Sequence, residues 1–547
     1  MISLTPALLG LVMLSTPEQA WQAMQNQQWE QAERAYEAVV DQNPYRSGHF
    51  LNLGYARMQQ GDCGTAQEAF DRALELGGVR RSAAYYRARC AALAENLEQA
   101  VVWLEEATRL GFDRFEPMAT DAAWSALWED PQIQRMTMRL DSSASERTLG
   151  WREDIEYLDR LVRQRHANPF HSISQDNWRA AVHSLLDSIN ELNDNQLMIA
   201  LMRLMASIGD GHSVLYPPFD GPRALSLLPV RPYLFSDGVY IQATDREHAN
   251  LLGAQLLSVG ETPVSAAMAK LAPLLPADNP MTTRWLMPLA LRIPQLTPGV
   301  GTESRADSVN WTLRLRDGST ETIELHGQPV QADPLGRAIP DQWVDVAPGD
   351  DRPLWLRQPQ TPYAFEPLPA LNASYFRYNQ VAESADESWD AFLGRLFAAI
   401  DAASDQRLII DLRRNNGGNS LLNSALMHRL VGHPVAQQRG RLYVIIGRMT
   451  FSAAQNLAND LDRETSAIFV GEPTGSKPNF YGEDHLFRLP YSGLSGSISS
   501  RYWQGARFSE DDRIWIAPDL RAELSSDQYL RNIDPAMAVI AEYMAVQ

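Results

Sequence analysis

The chain has 547 residues, 45% of them apolar and 21% charged. That predicts about three or four domains with substantial cores and excludes global disorder. Its 48 Lys and Arg stand against 67 Asp and Glu, a net charge of −19 that argues against non-specific binding to nucleic acid or anionic lipid.

The apolar run Ala7 to Leu14 is too short to span a bilayer and reads as the core of a candidate signal peptide over residues 1–17. No basic residue precedes it, so a short helix on a cytoplasmic protein is the alternative to a periplasmic or secreted one. An internal repeat follows. Ala32, Ala66 and Ala100 lie 34 apart, as do Tyr36, Phe70 and Leu104, and Ala20, Gly54 and Ala88, and Val39, Ala73 and Ala107. Small residues recur where helices approach closely, and large ones recur where a neighbour must be filled. The period and the segments NLGYARMQQGD and TAQEAFDRALEL resemble the tetratricopeptide (TPR) repeat. Residues 18–142 are therefore expected to form a TPR solenoid, with residues 113–142 as its terminal capping helix. The resemblance implies a groove for a peptide or protein partner; a packing module without a ligand is the alternative. Only two cysteines occur, Cys63 and Cys90. They exclude a disulfide framework, and the repeat register leaves open both a single bond and two buried thiols.

Residues 148–222 show helical periodicity, with Ser174 as an N-cap before Trp178 and a buried helix at 197–208. Residues 223–345 turn to strands, with Asp317-Gly318 as a hairpin turn and a helix at 263–275. Residues 331–362 read as a connecting loop. From 360 to 547 strands and helices alternate, which argues for an α/β domain.

Three segments carry candidate chemistry. In VIIGRMTFSAAQNLANDL a buried strand ends at Gly447 and Ser452 opens an amphipathic helix. A hydroxyl there lies among free N–H groups, and the N–H of Ala453 is placed to stabilise an oxyanion. The alternative is that Ser452 is only an N-cap. In LIIDLRRNNGGNS a strand enters a Gly-Gly turn, so Gly417 or Gly418 can supply a second N–H. In SIGDGHS, His212 sits on a loop after a buried helix, a place for a general base or a structural histidine.

In this order these segments resemble the tail-specific, or C-terminal-processing, serine peptidases, a superfamily that includes the tricorn core protease and the interphotoreceptor retinoid-binding protein. VGEPTGSKPNFYGE, SYFRYN and the closing WIAPDLRAEL and NIDPAMAVIAEYM extend the likeness over about residues 148–545. The resemblance implies a crotonase-like α/β catalytic domain and hydrolysis of polypeptides through an acyl-enzyme on Ser452. For residues 223–345 it implies a PDZ-like β-module, with a lid or a structural β-module as the alternative because no carboxylate-binding loop is evident. The base has two family solutions. Lys477 matches a Ser–Lys dyad, but Tyr481 stands where that branch has Gln. His212 matches the His-dependent branch, with Asp512 as its acid and Glu510 and Asp511 as rivals. A lysine base must be buried to lose its proton near pH 7, whereas a histidine needs no such shift, so His212 is preferred. No cofactor or metal is implied, since HExxH, Walker and GxGxxG patterns are all missing. The expected partners are a polypeptide substrate and a protein at the TPR groove, with no nucleic acid and no integral membrane segment. A catalytically silent adaptor that binds peptide or a hydrophobic ligand on the same fold is the second reading.

Overall fold

The computed structural model describes residues 16–112, 115–137, 146–221, 223–297, 307–330, 339–346, 352–402 and 407–546. The candidate signal segment lies outside them, apart from its last two positions. The chain forms two compact units, divided mainly at Glu146/Arg147.

The first unit is a helical array: Pro17–Gln25, Trp29–Gln42, Ser47–Gln59, Cys63–Leu76, Arg80–Leu93 and Leu97–Arg109. The repeated alanines Ala20, Ala32, Ala66, Ala88 and Ala100 are fully buried, as are Phe70 and Leu104. Gly54 is small for a reason: a Cβ there would lie 2.5 Å from the Phe70 ring. The period also governs the turns. Gln27, Gly61 and Glu95 each end a helix at positive φ, and the next N–H returns to a carbonyl five residues back, as in Asp62 to Arg57 at 3.1 Å. Cys63 and Cys90 form a disulfide with a Cα–Cα distance of 5.4 Å. The expected capping helix is instead two 3₁₀ turns, Glu116–Ala119 and Ala122–Trp124, and a short helix Pro131–Met136. Pro117 and Pro131 break the run, and the buried Trp124 anchors it.

The second unit opens with helices Arg147–Arg165, Gln175–Asp187 and Asp194–Ala206. The hydroxyl of Ser174 accepts from Asn177 N, the expected cap. A sheet of seven strands then spans Val230–Phe235 to Val344–Asp345. It includes the hairpin Ser308–Arg314/Thr320–His326, in which Val309 pairs with Leu325 and Gly318 makes the turn at φ 88°. The helix Pro280–Leu291 between these strands escapes sequence periodicity because it carries Pro288 inside. The strand Val344–Asp345 and a 3₁₀ turn, Leu354–Leu356, replace part of the expected connecting loop.

A six-stranded sheet positions the candidate chemistry. Its strands run in chain order: Tyr363–Leu368, Ala373–Tyr378, Arg407–Asp411, Leu442–Ile446, Ile468–Gly471 and Leu520–Arg521. All neighbours after the first pair are parallel. Helices Trp389–Asp401, Leu421–Val431 and Ala453–Glu464 cover one face through Trp389, Phe392, Leu396 and Leu457. Pro535–Ala545 covers the other through Ala536 and Ile540. With both faces covered, the strands are continuous apolar runs, and the loops at their carboxyl ends are where side chains become available. Among the described residues no helix is long and apolar enough to cross a membrane.

Candidate active site

Ser452 stands between the strand Leu442–Ile446 and the helix Ala453–Glu464. The turn that delivers it is pinned from below: Thr450, fully buried, donates to the Leu412 carbonyl at 3.0 Å, and Phe451 N donates to the Asn415 carbonyl. Ser452 itself adopts φ 53° and ψ −122° and makes no side-chain cap bond. A non-glycine residue held there costs about 1–3 kcal/mol. An ordinary N-cap has extended backbone and a bonded hydroxyl. Ser452 has neither, so the capping alternative does not describe it.

The Gly-Gly turn is built against this serine. Gly417 and Gly418 have φ of 109° and 135°. A Cβ on Gly417 would lie 2.7 Å from Ser452 Cβ and 2.9 Å from Ala453 N, so any side chain would obstruct that amide. Gly417 N already donates to Asn415 Oδ1 at 2.9 Å. That occupies one of the expected oxyanion donors, so Gly418, which lines the same cavity as Ser452, is the remaining candidate to act with the Ala453 amide. Neither of these two N–H groups has a hydrogen-bond acceptor among the described residues.

His212 lies on a loop that Asp210 holds. The Asp210 carboxylate accepts from His212 N at 2.9 Å, Ser213 N at 2.6 Å and Ser499 Oγ at 2.7 Å, and its other oxygen faces His166 Nε2 at 2.8 Å. Burial opposes its charge, but hydrogen bonds from His166 and His171 outweigh that and hold it far below the usual carboxylate range. The His212 ring is sandwiched by Phe451 at 4.5 Å and Phe480 at 5.7 Å. Both its nitrogens are buried without a hydrogen-bond partner, so it makes no bond to Ser452 in this state.

His212, Ser452, Gly417 and Gly418 line one cavity of about 650 Å³, walled by Met202, Phe219, Leu275, Trp285 and Leu289. That is a ligand-sized, mostly apolar space with few polar groups. Asp512 is not brought to it. It is exposed on the loop after the strand Ser495–Gln504 and makes no hydrogen bond or ion pair among the described residues. Its rival Asp511 is taken by Arg513 at 2.9 Å. Lys477 is half-buried and does not line the cavity. Tyr481 stacks on His171 at 4.4 Å, and its hydroxyl accepts from Asn168.

Besides Asp210, two carboxylates that sequence reasoning missed interact electrostatically with His212. Asp278 is wholly buried; one oxygen accepts from Gly211 N at 2.8 Å, and the other has no partner. Burial raises its pKa, and His212 pulls it back. Asp484 lines the cavity with its side chain exposed, packing around the carboxylate raises its pKa, and His212 opposes the rise. Asp278 precedes the helix that sequence periodicity hides, and Asp484 lies on a strand, so neither carried a local signal.

The tetratricopeptide repeat family model matches residues 51–113. Among solved structures, mature CPAF complexed with lactacystin is 12% identical over 73% of this chain and 97% of that one, with a TM-score of 0.51. Mature CPAF alone gives 12% identity, coverage of 73% and 96%, and a TM-score of 0.50. The photosystem II D1 C-terminal processing protease is 14% identical over 72% of this chain and 99% of that one, with a TM-score of 0.33. No curated protein matches the chain. At such identity the likeness to CPAF is one of fold. The chain joins a tetratricopeptide segment to a region with the CPAF fold.

Proposed function

We propose that the chain is a serine endopeptidase that hydrolyses polypeptides through an acyl-enzyme. The observation that carries this reading is Ser452: strained, uncapped, followed by the unpaired N–H of Ala453, and lining one cavity with His212 and Gly418. Ser452 Oγ attacks the scissile carbonyl carbon while its proton passes to His212. The two amides hold the oxyanion, the amine leaves with the proton from His212, and water then attacks the ester by the same route. His212 must turn toward Ser452 for this, and Asp278 or Asp484 stabilises the imidazolium that forms. The six-stranded layer takes the crotonase-like role and the seven-stranded sheet the PDZ-like one. The repeat unit recruits substrate or a partner protein. A disulfide in that unit fits a periplasmic or secreted chain.

Hydrolysis of an unfolded, fluorophore-quenched casein tests the activity. Cleavage by the wild type and none by Ser452→Ala is expected; equal cleavage by both contradicts it. The unpartnered nitrogens of His212 favour one second reading, in which the apolar cavity binds a peptide or hydrophobic ligand without cleaving it. That reading predicts saturable binding of the casein with no new chain ends.

A further inference from the structure

A second cavity, of about 160 Å³, opens at the carboxyl edge of the same parallel strands. Its wall includes Gly447, Arg448 and Met449, the turn that leads to Ser452, and it shares Trp285 and Leu289 with the larger cavity. Its lining differs in kind. Seven arginines face two carboxylates, Asp345 and Glu472, in a chain whose net charge is −19.

Several of these cations are matched. Arg448 forms a two-point pair with Glu472, at 2.8 and 2.5 Å. Arg413 is held by Asp411 at 2.7 Å and by Asp534 at 2.8 Å. Arg352 lies 3.5 Å from Asp345. Two are not matched. Arg284, one turn into the helix Pro280–Leu291, makes no hydrogen bond or ion pair among the described residues, and its buried Nε has no partner. Among the described residues the Arg292 side chain reaches only the Leu228 carbonyl, at 3.2 and 3.4 Å, and stacks over Trp343 at 5.5 Å. Burial first, then the Arg231 charge, pushes Arg292 down to about 9; burial and then Arg448 push Arg284 down, with Glu472 and Glu523 opposing. Both remain cations at neutral pH.

Arg284 and Arg292 are both half-buried, and a guanidinium drawn out of water without a counter-charge is costly, so apolar replacement of similar volume is often stabilising. Guanidinium forks also match the geometry of an oxyanion. The crevice outside the carboxyl ends of parallel strands is where ligands of open α/β sheets bind. We propose that this cavity binds one free, phosphate-sized oxyanion, with Arg284 and Arg292 as its principal contacts. The proposal is independent of peptidase activity at Ser452.

Equilibrium dialysis of the full chain with radiolabelled inorganic phosphate, at ionic strength fixed with chloride, is the test. One phosphate per chain is expected, with at least about a tenfold loss of affinity in Arg284→Met and in Arg292→Met. Without phosphate, both variants should melt no lower than the wild type, a sign opposite to core damage, and should lose the wild type's rise of about 3 °C at saturating phosphate. Binding that is unchanged in both variants, or no binding to a folded wild type, overturns the proposal. Phosphoserine is the competitor: failure to displace phosphate supports a free ion, and displacement reassigns the cavity to an esterified one.

Discussion

The repeat unit and the Ser452 cavity are built by opposite means. In the repeats every structural role returns after 34 residues, so contacts are between neighbours and each alanine reports its own surroundings. In the cavity, Ser452, His212, Gly418 and Asp484 come from four distant segments, and polar bonds hold them in place. The first arrangement is robust and legible. The second stores strain at one residue and depends on each polar support for its geometry.

The largest expected effect sharpens that contrast. Ser452→Ala should lower kcat by at least about 10³-fold with the fold intact. Gly417→Ala should lower kcat by about 10²–10³-fold with little change in KM, because its Cβ obstructs the Ala453 amide; steady-state kinetics separate the two terms. Arg448→Met should cost about 3–5 kcal/mol in urea unfolding, because it strands Glu472 in the interior. Burial would raise Glu472, but Arg448 outweighs it and holds the group below its ordinary range. A depressed carboxylate contributes stability above its unfolded pKa and loses it as pH falls through the folded one. Acidification should therefore remove this contribution from the wild type and not from Arg448→Met, as a pH series of unfolding curves would record. In the repeat unit, Cys63→Ser should cost about 2–4 kcal/mol by opening a loop of sequence separation 27, and leave Ser452 chemistry on small peptides unchanged. Smallest, Ser452→Gly should gain about 1 kcal/mol by relieving the positive φ.

Legibility followed the range of the contacts. The period of 34 was readable because one register error would misplace every buried alanine, and it extends to the turn residues Gln27, Gly61 and Glu95. The Asp317-Gly318 hairpin and the strand leading to Ser452 were readable from local pattern alone. The partners of His212 were not. Asp512 fits the family spacing, yet its loop leaves it in solvent, while Asp278 enters from before a helix disguised by Pro288. The role of Asn415 in occupying Gly417 N depends on a turn two residues long, with no sequence mark distinguishing it from any polar loop residue. The arginine cavity is assembled from separate segments, and no single one of them is basic enough to announce it.

On the proposed mechanism Ser452 is an activated nucleophile served by His212. The direct measurement is labelling with a fluorophosphonate, mapped by mass spectrometry of the tryptic peptides. A label is expected on Ser452 in the wild type, in Lys477→Ala and in Asp512→Asn, and its loss in His212→Ala. A label that persists in Ser452→Ala, or that vanishes in Lys477→Ala and survives in His212→Ala, contradicts it.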